Sequence, residues 1–358
     1  MEKNIFRGNA FEIGKQYGAK FAEKIRSNLS ILIWREGYEP LPLKDPDFIK
    51  WVDDQEKVIS TNWPWLIEEM HAVAEGSGFN YRDILLLNLR SWQYNHCSGK
   101  AAAQVEACSS LIITLADGTT ANVGALDDGI QYYCGMVKII PDHGYSFMTF
   151  PITGTSWGNR GINSAGLCVG ESSQGLNGLK RLPGSICGDI ALRVILQTCA
   201  TVSEVREFCK QHPFTLNLAC SDKNGDVFSA HQTTAGLFEL TDNSPIAVTN
   251  HVICDHIISD MVMYWLEDAG TCAFMESPTT RLRRGRLMDF ILKRDRKCSA
   301  VEVRAYVADR MNGAPSSICP KGNVVLTYAN SQVEPGIMWI AEPAVSGNEK
   351  WEACYLTI

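Results

Sequence analysis

Ala107-Cys108-Ser109-Ser110-Leu111-Ile112-Ile113, followed by Asp117-Gly118 and then by Asp127-Asp128, is the stretch on which the fold turns. It sets a cysteine at the head of an apolar run that reads as a strand, after about a hundred residues of mostly helical pattern. A thiol placed there can attack the carbonyl of Ala107 and leave Cys108 as the first residue of a new chain. At neutral pH a free cysteine is only a few per cent thiolate, so it needs a base. Cutting before Cys108 frees an α-amine with a pKa of about 8, which can take the thiol proton. One residue then supplies both nucleophile and base. Ser109 and Ser110 offer hydroxyls to the rearrangement.

The chain has 358 residues, enough for one large domain or two closely packed ones with a sizeable core. Its 33 basic and 40 acidic side chains give a net charge of −7, with no general attraction for nucleic acid or an anionic membrane. The 13 cysteines are odd in number, irregularly spaced and without a CxxC pair. That argues against a disulfide framework or a metal site and for a reducing compartment. Most of these thiols are expected to be small buried hydrophobes, which is also the plain reading of Cys108. Met1-Glu2-Lys3-Asn4 lacks the apolar core of a signal peptide, and no run of 18 apolar residues offers a membrane span. Leu356-Thr357-Ile358 is not a retention signal, so cytoplasmic residence is the expectation.

Residues 1–107 read as a mainly helical segment. Asn9 and Glu12 form a capping-box start, and Phe11, Gly14, Gly18, Phe21, Ile25, Leu29 and Leu32 recur at helical steps. Gly14 and Gly18 on that face predict a close approach to another element. Further helices are expected from Trp65 to Glu75 and from Arg82 to about Trp92. Strand signals dominate from Cys108: a hairpin of Leu111–Leu115 and Ala121–Leu126 about Asp117-Gly118, then Gly135–Ile140, Ser146–Ile152 and Leu167–Gly170. Gly188–Gln211 reads as helix with a fresh capping box at Thr201 and Glu204, and a second hairpin turns at Lys223-Asn224-Gly225. Helices at Arg281–Arg294 and Ala300–Met311 precede strands at Val324–Tyr328, Ile337–Ala341 and Ala353–Leu356. Abundant hairpins without strict βαβ alternation point to an α+β protein of antiparallel sheets layered with helices. No nucleotide-binding glycine motif stands between a strand and a helix.

Several pieces, in this order and spacing, resemble the acyl-coenzyme A:6-aminopenicillanate (isopenicillin N) acyltransferase family of N-terminal-nucleophile hydrolases, also classed with cysteine peptidases. They are Gly8-Asn9-Ala10-Phe11-Glu12-Ile13-Gly14 with Gly18, Trp63-Pro64 with Glu68-Glu69, Ala74-Glu75-Gly76, and Leu86-Leu87-Asn88-Leu89-Arg90. Ala107-Cys108-Ser109-Ser110, Gly161-Ile162-Asn163-Ser164-Ala165-Gly166-Leu167, Thr249-Asn250-His251 and Ser317-Ile318-Cys319 complete the set.

The resemblance implies a four-layer αββα sandwich and a precursor cut between Ala107 and Cys108. Residues 1–107 become an α chain, and 108–358 a β chain that carries the core and stays associated with it. It implies Cys108 as nucleophile, Asp128 as the acid that orients the amine and substrate, with Asp127 as its competitor, and Asn250 as the oxyanion donor. The implied substrate is a small N-acyl amide or acyl thioester, handled through an acyl-enzyme. Water as acceptor makes the protein an amidohydrolase; an amine makes it an acyltransferase, with a coenzyme A thioester as a potential donor and no resident cofactor.

This chain departs from the family at two places. Leu126 stands where the family has an asparagine before the aspartate, and Pro320-Lys321 follow Ser317-Ile318-Cys319 where the penicillin enzyme has an arginine for the substrate carboxylate. Lys321 is the candidate replacement, and a penicillin nucleus is not the expected substrate. Two other readings stand beside this one: an uncut, catalytically silent relative used as a binding protein, and a conventional Cys–His hydrolase drawing on one of the 7 histidines. The run Arg281, Arg283, Arg284 and Arg286 reads as a solvated helix face or a phosphate site. Asn163 reads as a turn residue, and Tyr132 and Trp157 as core or acyl-pocket aromatics.

Overall fold

The computed structural model of the protein describes residues 4–34, 41–89, 108–126, 132, 134–173, 184–233, 236–251, 253, 278–313, 316–319, 325–341 and 349–356. Two sheets lie face to face between helices. The larger has eight strands: β1 (Asn4–Gly8), β4 (Val137–Pro141), β5 (Phe147–Thr149), β6 (Gly161–Asn163), β7 (Cys168–Ser172), β8 (Leu216–Ser221), β9 (Val227–Thr233) and β10 (Gly236–Thr241), in that spatial order. The smaller has six: β11 (Ile246–Val248), β2 (Ser109–Thr114), β3 (Thr120–Leu126), β12 (Val325–Ala329), β13 (Ile337–Ala341) and β14 (Glu352–Tyr355). Every pairing is antiparallel except β1 with β4.

Strand alternation divides the side chains among three apolar layers. On β2, Leu111 and Ile113 pack outward against α8 (Pro278–Arg294) and α9 (Ala300–Val307), whereas Ile112 faces the larger sheet. On the larger sheet, Val169, Leu216, Leu218 and Phe228 pack outward against the remaining helices. Between the sheets lie Cys108, Leu126, Met148, Phe150, Ile162 and Cys168. The result is helix, sheet, sheet, helix: the αββα sandwich.

The N-terminal segment is part of this body. α1 (Ala10–Lys20) starts at the Asn9–Glu12 capping box and packs along α4 (Pro64–Ser77). The approach is as close as the glycine spacing predicts: a Cβ on Gly14 or Gly18 would collide with the carbonyls of Glu69 and Val73. The single helix expected through Leu32 breaks at Phe21 into α1 and α2 (Ala22–Asn28) and ends in a π turn, Leu29–Ile33. β1, unread in the sequence, adds an edge strand from this segment to β4. α3 (Pro46–Asn62) carries no clear sequence signal. It begins at an Asp45 cap with Pro46 in the first turn and buries Phe48, Val52, Gln55 and Ile59 on one face. α5 (Tyr81–Asn88) follows.

α6 (Gly188–Thr198) is buried along almost its whole length and carries Arg193 inside. That charge is matched by Glu69 of α4 at 2.8 Å, with side-chain exposures of 2% and 6%. The guanidinium also stacks over Trp65 and Phe147. α7 (Val202–Gln211) starts at the Thr201–Glu204 capping box. Among the described residues no disulfide links two cysteines, and no helix is long and apolar enough to cross a membrane.

Candidate active site

β2 runs antiparallel to both of its neighbours, so its beginning lies beside the ends of β3 and β11. Register pairs Ser109 with Ala125 on one side and Ser110 with Val248 on the other. One step further along the three strands come Leu126, Cys108 and the Thr249-Asn250 turn. Three distant pieces of sequence therefore meet at one edge of the smaller sheet. Cys108 is 1% exposed and shares the inter-sheet cluster with Leu126, which puts an alkyl wall where the family has an amide.

Two buried arginines grip this strand start from opposite faces. Arg283 of α8, fully buried, approaches from the helix side. Its Nη1 donates to the Cys108 carbonyl and to Ser109 Oγ, the latter at 2.9 Å, and its Nη2 donates to Asn250 Oδ1 at 2.8 Å. Arg160, just before β6, approaches from the inter-sheet side. Its Nη2 donates to Ser109 O at 3.1 Å, to Glu171 O at 3.4 Å and to Ser110 Oγ. The guanidinium fits because β3 and β7 each present a glycine to it: a Cβ on Gly124 or Gly170 would meet Arg160 Nη1.

Asn250 is oriented from both ends. Arg283 holds its oxygen, and its Nδ2 donates to Ser173 O at 3.0 Å. An amide nitrogen carries two hydrogens, so one bond to Ser173 leaves the second N–H able to donate elsewhere. The turn around it is pinned by buried polar groups. Asn217 Nδ2 donates to Thr249 O at 2.7 Å, and His231 Nε2 accepts from Ile253 N at 2.9 Å. His251 Nδ1 lies 3.1 Å from Thr249 Oγ1 and 3.0 Å from Thr280 Oγ1. Burial pushes the pKa of His231 down to about 3 and that of His251 down to about 4, with the charge of Arg284 adding to both. Both imidazoles are thus neutral hydrogen-bonding parts of the scaffold, which weighs against a Cys–His pair here.

The stretch from Phe150 to Arg160 is buried throughout yet has almost no regular structure. The N-terminal segment supplies several of its hydrogen bonds. Asn28 Nδ2 donates to Tyr132 O at 2.9 Å and Thr153 O at 2.8 Å, and Gly154 N donates to Tyr17 Oη at 3.1 Å. Ser156 N and Trp157 Nε1 donate to Asn88 Oδ1 and Asn88 O, both at 2.7 Å. Trp157 is therefore a core residue. Asn163 shapes its turn as read from the sequence: its Oδ1 accepts from Ala165 and Leu167, and its Nδ2 donates to Leu196 and Cys199 carbonyls.

Of the residues singled out in the sequence, Cys108, Ser109, Ser110 and Asn250 meet around Arg283 and Arg160. Ala107, Asp127, Asp128, Pro320 and Lys321 lie outside the described residues. Neither arginine stands in a motif that points to the site. Arg283 was read only as one of a basic run, although its spacing to Leu287 and Ile291 marks the buried face of α8. The run does not form a single phosphate-binding face, because Arg283 points inward, Arg284 donates to Ala247 O and Arg286 pairs with Asp309 at 2.7 Å. For Arg160 the only sequence signals are the glycines opposite it.

The layering defines the class: an αββα sandwich of two stacked sheets between helices. Residues 130–269 match the sequence model of the acyl-coenzyme A:6-aminopenicillanic acid acyl-transferase family. The resemblance drawn from the sequence holds over that stretch, which takes in Arg160 and Asn250. Among solved structures, the chain is similar to a variant of conjugated bile acid hydrolase from Clostridium perfringens. The two are 16% identical over 70% of this chain and 92% of that one, with a TM-score of 0.46. It is also similar to penicillin V acylase from Agrobacterium tumefaciens (14%, 68% and 85%, 0.40) and to the Caenorhabditis elegans N-acylethanolamine-hydrolyzing acid amidase ortholog (15%, 63% and 93%, 0.35).

Proposed function

We propose that this protein is a self-processing, cysteine-dependent amidohydrolase or acyltransferase acting on a small N-acyl amide or acyl thioester. The observation that carries the reading is the single guanidinium of Arg283, which joins the Cys108 backbone to Asn250. In the first step the Cys108 thiol attacks the Ala107 carbonyl. The peptide bond passes to a thioester and the Cys108 nitrogen leaves as an amine. Water opens the thioester, giving a carboxylate at Ala107 and a free thiol.

In the second phase the α-amine accepts the thiol proton and sulfur attacks the substrate carbonyl. Asn250 Nδ2 and its neighbours receive the oxyanion; the amine or thiol leaving group departs protonated. The acyl-enzyme then passes to water or to an amine. Asp128, with Asp127 as alternative, is proposed to orient the amine, and Lys321 to contact the substrate. The bonds from Asn28, Asn88, Tyr17 and Glu69 across to residues 132–193 support the two pieces staying together after the cut.

Intact-mass analysis tests this directly. Purified protein should resolve under denaturing conditions into pieces of 107 and 251 residues, the second led by Cys108, that co-elute under native conditions. Cys108→Ala should stay whole. Wild type that remains uncut after prolonged incubation in reductant would instead support the silent binding protein.

A further inference from the structure

Arg160 is a buried cation with no ion-pair partner among the described residues. It is 2% exposed, and its donors reach two backbone carbonyls and one hydroxyl. Its Nε has no hydrogen-bond partner, and no carboxylate among the described residues lies within ion-pair distance of it. A charge in that position is costly unless an opposite charge answers it. Glu171 is adjacent through its carbonyl, but alternation along β7 turns its side chain to the face of Val169, away from Cys168 and Gly170. Cys168 shares the inter-sheet face, yet burial pushes its thiol up to about 12 and it stays protonated.

Cys108 also lies on this face. Strand alternation sets its side chain on the same side as Ser110, one pleat repeat or about 7 Å along β2, and Ser110 Oγ is held by the Arg160 guanidinium. Leu126, Met148, Phe150 and Ile162 belong to the same inter-sheet cluster as Cys108. Arg283 acts on the Cys108 carbonyl from the opposite face. We propose that Arg160 is the positioning residue that supplies a positive field under Cys108, so that the sulfur can carry its charge on the face where this guanidinium is buried. Burial lowers the Arg160 pKa, and the charges of Glu171 and then Cys108 oppose that fall. A guanidinium stays protonated throughout the working range of an enzyme.

This inference rests on Cys108 being the nucleophile, and the two ideas fail separately. The probe is iodoacetamide, with labelling of each cysteine followed by peptide mass spectrometry as a function of pH. In wild type, Cys108 should react fastest of the cysteines; if it does not, the nucleophile reading itself falls. In Arg160→Gln the midpoint of the Cys108 profile should rise by about one pH unit, which is about a tenfold slower reaction near neutrality. Arg160→Lys, which keeps the charge, should recover most of that loss. Gly170→Ala, which crowds the guanidinium without removing it, should shift the midpoint in the same direction by less. A fast-reacting Cys108 whose midpoint is unchanged in whichever of the Gln and Ala variants folds overturns the proposal. So does a Lys variant as slow as the Gln variant.

Discussion

Arg283 and Asn250 are joined at 2.8 Å, Nη2 to Oδ1, while the other arm of the same guanidinium holds the carbonyl of Cys108. Placement of Asn250 and placement of the Cys108 backbone are therefore one geometric fact. A lysine offers one ammonium in place of a planar fork and cannot serve both ends. Arg283→Lys is expected to slow both chain cleavage and acyl release by on the order of 100-fold. Asn250→Ala should cost a similar factor, and the double variant little more than the worse single, as for groups acting as a unit. Cleavage time courses by intact mass measure this, and additive losses would separate the two residues.

The Glu69–Arg193 pair ties α4 to α6 inside the core. Removing one partner strands a buried charge, so Glu69→Gln should lower stability by about 3–5 kcal/mol. Glu69→Leu with Arg193→Met should recover much of that loss. Urea unfolding of the Cys108→Ala chain, which avoids any complication from cleavage, is the measurement.

His231 and His251 titrate far below their ordinary value when folded, to about 3 and about 4. The unfolded chain takes up these protons near pH 6.5, well before the folded one does. Their contribution to stability is complete above that pH and is lost as pH falls toward the folded values. The slope is up to about 1.4 kcal/mol per pH unit for each histidine. His231→Gln should flatten the loss between pH 6 and pH 4. An unchanged pH dependence of the unfolding midpoint would mean that His231 is already charged in the native protein.

Asn88→Ala removes the acceptor for the Ser156 amide in a stretch with no strand to replace it. An unpaired buried N–H costs about 1–3 kcal/mol, and thermal unfolding should report it. Because the same stretch leads to Arg160, the variant should also slow cleavage before Cys108.

Local chemistry made much of the architecture readable. The Asp117-Gly118 hairpin, the capping boxes at Asn9 and Thr201, and β13 all stand where residue pattern puts them. What escaped depends on partners far along the chain. β1 is five residues long and exists as a strand because β4, more than 120 residues later, lies beside it. β6 and β11 have three residues each, too short for alternation to register. In α3, Gln55 interrupts the apolar stripe because it is buried for a hydrogen bond to Ser185 O.

In the site, Cys108 and Asn250 could be singled out because short motifs surround them. Arg283 was hidden among other arginines, distinguished only by its helical phase with Leu287. Arg160 belongs to no periodic element. Its place follows from two glycines that become neighbours only when the sheets stack.

The parallel pairing of β1 with β4 has a kinetic corollary. As one chain, the two strands meet intramolecularly, and the segment between them, which includes the β2–β3 hairpin, closes by ordinary loop entropy. With the proposed cut before Cys108, the same contact joins two polypeptides. Unfolding then releases two fragments whose re-encounter depends on concentration and competes with aggregation. The durability of the mature protein would be governed by how slowly it opens and not by an equilibrium to which it can return. Under the proposed processing, folding belongs to the precursor and happens once.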